Sequence, residues 1–254
     1  YELIGGFKFY DRKEIKDLLS YLKLLLNPDD LISFERVLAL ESGFGAKSLQ
    51  MVINQAFDNN SSYIIGAYQW GQEGRGKART KAIQFAQNIS NIRAEADEGI
   101  DPTTVVKLIV EKFGIEKRLQ AGIDNCNDNL ELLRSGSLKK LIFAETDPEK
   151  KKALKEKLKK LQRSAVKYQE DLETARERLE NIVSFISELE EYAKNNIGDQ
   201  RLRIEEWLPP YLDSVSLNGA ADKEDGREQS AMTLLTGHLC KGLEFPVVFV
   251  TGLA

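Results

Sequence analysis

Five polar residues crowd one short loop near the end of this chain: Thr236, His238, Lys241, Gly242 and Glu244. Apolar runs flank them, Met232–Leu235 before and Val247–Val250 after, and both read as buried strands. A strand, a tight polar loop and a second strand is how α/β proteins present chemistry at the edge of a sheet. His238 is the chain's single histidine. A lone histidine is usually a packing residue. This one shares a nine-residue loop with a hydroxyl, a cation, a glycine and a carboxylate, which favours a functional role.

Two further stretches carry glycine and positive charge. Glu41-Ser-Gly-Phe-Gly-Ala-Lys-Ser48 opens a helix. Gly43 and Gly45 would leave backbone N–H groups exposed at the positive end of the helix dipole, with Lys47 and Ser48 beside them. That arrangement suits phosphate; a plain helix–turn–helix corner is the alternative. Gly71-Gln-Glu-Gly-Arg-Gly-Lys-Ala78 nearly matches a nucleotide phosphate loop. Ala78 stands where the Mg²⁺-ligating hydroxyl belongs, so it reads better as a glycine-rich surface loop.

Composition bounds these readings. The chain has 254 residues, 30% of them charged, and a net charge of −4. A nucleic-acid surface must therefore be local, because the whole molecule would repel phosphate. Cys126 and Cys240 fit no metal or disulfide pattern, which with the absence of a membrane-length apolar run points to a cytoplasmic protein with no membrane partner. The chain begins at Tyr1 without methionine and stops just after an apolar strand, so it reads as a piece of a larger protein.

The elements that must position the loops follow from pattern. Tyr1–Tyr10 reads as a strand interrupted by Gly5-Gly6. Asp11 with Glu14 predicts a capped helix to about Leu26, ended by Asn27-Pro28. Asp30 caps a second helix with Phe34, Val37 and Leu38 on its apolar face. A helix follows through Val52, Ile53 and Ala56. Thr80–Ala94 is amphipathic, and Asp101-Pro102 opens another helix, with Glu116–Ala121 a short continuation. Residues 122–148 read as irregular. From Pro148 to about Asn195 the pattern predicts one or two long helices. Leu154, Leu158, Leu161, Ala165, Tyr168, Leu172, Ala175 and Leu179 step by four and three, the seam of a coiled-coil-like hairpin. Seven lysines lie in Lys150–Lys160, a solvated face or a phosphate-tracking patch. Pro209-Pro210 should interrupt a short helix begun at Ile204, and Ala220–Ser230 reads as an exposed loop. The fold class is mainly α: a helical subdomain inserted between short strands of an α/β domain.

These motifs resemble a known group. Gly5-Gly-Phe-Lys-Phe-Tyr-Asp-Arg-Lys-Glu-Ile-Lys-Asp17, with Asn27-Pro-Asp-Asp30 after it, is similar to the segment following motif IV in UvrD/PcrA/Rep-type superfamily 1 DNA helicases. Thr236-Gly-His-Leu-Cys-Lys-Gly-Leu-Glu-Phe245 resembles their motif V. The resemblance implies residues 1–26 flanking within the second RecA-like domain, a helical 2B-like subdomain over 27–229, and return strands with motif V over 230–254. It implies that Glu244, with Gly242, meets the ATP ribose, and that Thr236, His238 and Lys241 meet single-stranded DNA. It implies a duplex-contacting turn at Gly43, Gly45, Lys47 and Ser48. There the sequence departs from the family by lacking a Pro-x-Arg and by placing Glu41 where charge would repel phosphate. Residues about 123–170 look like an insertion relative to compact members.

The parent would then be an ATP-dependent translocase, moving 3′ to 5′ by the resemblance, with ATP and Mg²⁺ in the intact protein. The partners would be single-stranded DNA and duplex–single-strand junctions. A protein partner on the helices at 150–190 is a further expectation. No intact phosphate loop, metal-binding Asp-Glu pair or motif VI arginine is present, so this chain alone is expected to bind no nucleotide and to hydrolyse no ATP. The alternative is a non-enzymatic DNA-binding or protein-interaction module built on the helical hairpin.

Overall fold

The computed structural model describes residues 2–3, 9–41, 43–224 and 233–234, with side chains described over 9–41 and 43–216. These residues are mainly helical, as expected. Strand β1 (Glu2–Leu3) precedes a 3₁₀ turn at Phe9–Asp11. Eleven helices follow: α1 (Lys13–Leu26), α2 (Leu31–Leu38), α3 (Ala46–Asp58), α4 (Tyr63–Gln72), α5 (Lys77–Asp97), α6 (Pro102–Lys112), α7 (Ile115–Arg134), α8 (Ser137–Ala144), α9 (Pro148–Arg163), α10 (Ala165–Asn196) and α11 (Ile204–Glu224). Strand β2 (Thr233–Leu234) pairs parallel to β1, Glu2 opposite Thr233 and Leu3 opposite Leu234. Parallel neighbours need a crossover, and here the crossover is the whole helical body.

Helix α1 is the hub. Nine of its fourteen residues are buried, among them Ile15, Leu18, Tyr21, Leu22, Leu24 and Leu25. A helix apolar on nearly every side must be surrounded, and α2, α5, α6, α10 and α11 surround it. Of its buried polar groups, Ser20 and Glu14 are answered, whereas the Tyr21 hydroxyl has no hydrogen-bond partner among the described residues. Ser20 Oγ donates to Lys16 O at 2.8 Å. Glu14 accepts from Asn181 of α10, whose own oxygen accepts from Arg12, and Arg178 stands 3.7 Å away. At the other end Arg93 of α5 donates to Leu25 O, a terminal carbonyl of α1, and pairs with Glu205 in the first turn of α11. Arg93 thus ties the end of α1 to the start of α11. Helix α11 then runs back along α1 and leads to β2.

Several helix starts form where the sequence predicts them. Asp30 accepts from Ser33 N at 3.1 Å, and Asp101 from Thr103 N at 3.0 Å. Pro102 and Pro148 occupy first turns, where a missing N–H costs nothing. The long helical region resolves into two helices, broken at Ser164. The heptad seam is therefore divided. Tyr168, Leu172, Ala175 and Leu179 are half-buried on α10. Helix α10 lies antiparallel to α7: Leu179, Ile182 and Ile186 line one cavity with Glu116 and Lys117, and Asp171 lies near Cys126.

Four expectations fail, each for a physical reason. Phe9 and Tyr10 lie in a 3₁₀ turn rather than a strand. Arg12, not Asp11, occupies the N-cap of α1, and Asp11 pairs with Lys16 at 2.9 Å instead. Residues 122–134 continue α7 and 137–144 form α8, because Ile123, Cys126 and Leu130 recur at helical spacing and are buried. Helix α11 runs through Pro209-Pro210. Burial of Trp207, Leu208, Tyr211 and Val215 outweighs the lost N–H donors. The carbonyls those donors would have met belong to the exposed Glu205 and Glu206, within reach of water. The exposed loop expected at 220–230 is shortened as well: residues 220–224 continue α11, and 225–230 lie outside the described residues.

Helices α3 and α4 cross so closely that a Cβ on Gly66 would stand 2.6 Å from Ala56 Cβ and 2.9 Å from its backbone. Alanine normally gains about 1 kcal/mol over glycine inside a helix. At Gly66 the clash is with backbone and cannot relax, so Gly66→Ala should lose about 1–3 kcal/mol. On exposed mid-helix Gly122, with nothing within 4 Å, the same change should gain up to about 1 kcal/mol. Urea unfolding of the two variants checks the opposite signs.

Candidate nucleic-acid interface

The Thr236, His238, Lys241, Gly242 and Glu244 loop lies outside the described residues. The glycine turn lies within them. Gly43 has φ +95°, a conformation open to glycine at little cost. Phe44 N donates to Glu41 O at 3.2 Å, and the Phe44 ring centroid is 5.8 Å from that of Trp70. That contact pins the turn onto α4. Gly45 is the N-cap of α3, with φ −109° and ψ 171° and no side-chain cap bond. The first N–H groups of α3, those of Ala46, Lys47 and Ser48, have no partner within the helix. A Cβ on Gly45 would meet nothing within 4 Å, so the approach to these donors is open. Lys47 is exposed and Ser48 half-buried.

A second glycine-capped helix start stands beside the first. Gly76, at φ +129°, caps α5 without a side-chain bond, and a Cβ there would also meet open space. Lys77, the first residue of α5, runs its stem 3.7 Å from where a Gly43 Cβ would be. Arg75 and Lys77 are both exposed. The positive ends of two helix dipoles and the cations Lys47, Arg75 and Lys77 therefore lie on one face. Sequence reasoning singled out both glycine stretches but treated them separately, because the contact between residues 43 and 77 is tertiary.

The near match to a nucleotide loop divides in the structure. Gly71 is buried within α4, where a Cβ would stand 2.5 Å from Ile83 Cγ1 and 2.9 Å from Arg79 O. That glycine serves helix packing, and only Gly76 faces open space. Arg79 holds the α4–α5 turn. Its guanidinium lies 4.1 Å from the centroid of the Trp70 ring and donates to Trp70 O.

Glu41 does not confront the turn. It is only 7% exposed, with Lys81 Nζ and Arg118 Nη1 each 3.9 Å from its carboxylate. It lines a polar cavity of about 260 Å³ with Lys81, Gln84, Asn88 and Lys112. The repulsion expected from its charge is directed inward and offset by two cations. Nearby, burial first and Glu41 second push the Tyr21 phenol far above its ordinary range, so it stays protonated. Among the described residues no group of His, Cys, Asp and Glu could hold a metal ion.

The described residues thus form a helical body between paired strand ends, with a cationic, glycine-capped face. Comparison with known proteins identifies the family. The model of the UvrD-like helicase C-terminal domain matches residues 1–254, and the chain belongs to that family. It is similar to the ATP-dependent DNA helicase PcrA of Staphylococcus aureus, 30% identical over 255 residues. The PcrA of Staphylococcus epidermidis is 29% identical over 255 residues, and that of Leuconostoc citreum 29% over 260. Each comparison covers 100% of this chain and 27% of the relative, so the chain spans about a quarter of their length.

The Arg79 stack is open to test. Arg79→Lys keeps the charge and loses the planar contact with Trp70. It should lower stability by about 1–2 kcal/mol in urea unfolding. A loss below about 0.5 kcal/mol would mean that Phe44 and Trp70 hold the turn without it.

Proposed function

We propose that this chain is the helical 2B-like subdomain, with flanking strands of the second RecA-like domain, of an ATP-driven DNA helicase that moves 3′ to 5′. Family membership and the PcrA relatives support this reading. So does the parallel pairing of β1 with β2, which brings the two ends of the helical body back to one sheet. In this reading Glu244 and Gly242 meet the ATP ribose, while Thr236, His238 and Lys241 meet single-stranded DNA. One loop touching both would couple hydrolysis to movement. ATP and Mg²⁺ bind where the rest of the protein supplies a phosphate cradle and metal carboxylates. The isolated chain should therefore show no ATP turnover above background in a phosphate-release assay, and steady turnover would overturn this division of labour.

The observation that carries the DNA reading is the open, glycine-capped start of α3 beside that of α5. Backbone N–H groups there can approach a duplex phosphate, with Lys47 and Ser48 adding a cation and a hydroxyl. The test exploits the open space at Gly45. Its φ of −109° suits any residue, so Gly45→Val should cost only the poorer cap, about 1 kcal/mol, and lower the melting temperature by a few degrees. The valine side chain would stand between phosphate and donors, and junction binding should weaken about tenfold, or about 1.4 kcal/mol. Lys47→Ala should flatten the plot of log affinity against log salt by about 0.9. Unchanged binding in both variants would remove duplex contact from this turn.

A further inference from the structure

The arm formed by α7, α8, α9 and α10 carries a surface that the glycine turn does not explain. Between Lys139 and Lys167 stand eleven lysine and arginine residues against four carboxylates, in a chain whose net charge is −4. This α8–α9 segment is thus strongly positive and the rest of the chain, α7 and α10 included, is net negative. On α9 the apolar residues Leu154, Leu158 and Leu161 are the ones turned inward. Lys152, Lys155, Lys159 and Arg163 recur at three and four residues, which aligns them along the opposite side. All four are exposed, and none is ion-paired among the described residues. The stripe spans about 17 Å at 1.5 Å per residue. Beside it α8 exposes two apolar side chains, Phe143 at 90% and Leu141 at 55%.

We propose that α8 and α9 form a second DNA-binding surface, in which the lysine stripe follows the phosphate backbone of a duplex and Phe143 meets an unstacked base at its junction with single strand. The inference rests on the DNA reading above and adds a site to it. Protein–protein interfaces are depleted in lysine and centre on an apolar core, whereas here two apolar side chains accompany a stripe of unpaired cations. A duplex offers about one negative charge per 1.7 Å of axis, enough to engage every cation of the stripe. An exposed aromatic ring next to such a stripe is what base stacking requires. Because the rest of the chain is net negative, a polyanion would be held on α8 and α9 and not spread over the molecule.

The experiment uses the full protein that carries this chain, with Lys152, Lys155, Lys159 and Arg163 all changed to Gln, which keeps helix propensity. Binding of a fluorescent duplex with a single-stranded tail is measured across a salt series. Loss of four phosphate contacts should reduce the slope of log affinity against log salt by about 3–4. Phe143→Ala alone should weaken the tailed duplex more than a blunt one and leave the slope unchanged. An unchanged slope in the fourfold variant, with a wild-type melting curve, overturns the proposal. If Gly45→Val weakens binding while the fourfold variant does not, this inference falls and the DNA reading stands. If the wild-type protein binds neither DNA, both fall. Polyglutamate binding that needs the same four residues, with DNA binding that does not, would assign the arm to an acidic protein partner and overturn the proposal.

Discussion

Everything in this structure depends on the near-complete burial of α1. A helix with Ile15, Leu18, Leu22 and Leu25 on one side and Leu19, Tyr21 and Leu24 on others keeps only the narrow solvent strip of Lys13, Lys16 and Lys23. Each buried leucine contributes about 1.5–3 kcal/mol only if something covers it. The covering is supplied from far along the sequence, by α5, α6, α10 and α11. The core therefore cannot form from one local hairpin. It also dictates where polar groups may enter. Glu14 is admitted at one end because Asn181 and Arg178 answer it, and the carbonyl end of α1 is answered by Arg93. A buried carboxylate left without these donors would cost more than an ordinary surface group.

The same constraint sets the chain's route. Arg93 joins the end of α1 to the beginning of α11, and α11 packs against α1. That returns the chain to the side from which it left, where β1 and β2 pair. The helical body therefore begins and ends at two neighbouring, parallel strands. The long α7–α10 hairpin is anchored differently. Ile182, Phe185 and Leu189 join the main core, whereas Ile123, Cys126, Leu130, Leu138 and Leu161 are buried outside it. The arm thus has its own small apolar interior and a rigid base.

What was legible in the sequence was what local chemistry decides. Asp30, Asp101 and Pro102 mark helix starts because their effect is confined to one turn. The mainly helical class followed from the period of the apolar residues. Less legible were features that tertiary packing decides. Ile123, Cys126 and Leu130 carried a helical period, but Gly122 and the surrounding asparagines and aspartates masked it. The Pro209-Pro210 pair broke a local rule that burial of Trp207 and Tyr211 overrides. Most consequential was Glu41. From sequence its charge stood against phosphate binding at the glycine turn, and only its burial between Lys81 and Arg118 removes that objection.

The placement of carboxylates near helix starts shows how a net-negative protein can still present locally positive faces. At α2, α6 and α9 an aspartate occupies the N-cap and satisfies the first donors itself. Those helix ends carry a negative charge and can accept no second one. At α3 and α5 the caps are glycines and the first donors remain open; Glu41 is turned into the core, and exposed Glu73, three residues before the α5 cap, accepts from Gln55 at 2.6 Å. The dipole at each of these ends is equivalent to roughly half a positive charge. Placed side by side with Lys47 and Lys77, they make a local field whose sign opposes that of the molecule. Screening limits that field to about 8–10 Å at ordinary ionic strength. A distant excess of aspartate and glutamate therefore weakens it little, and charge placement governs where a polyanion can approach more than total charge does.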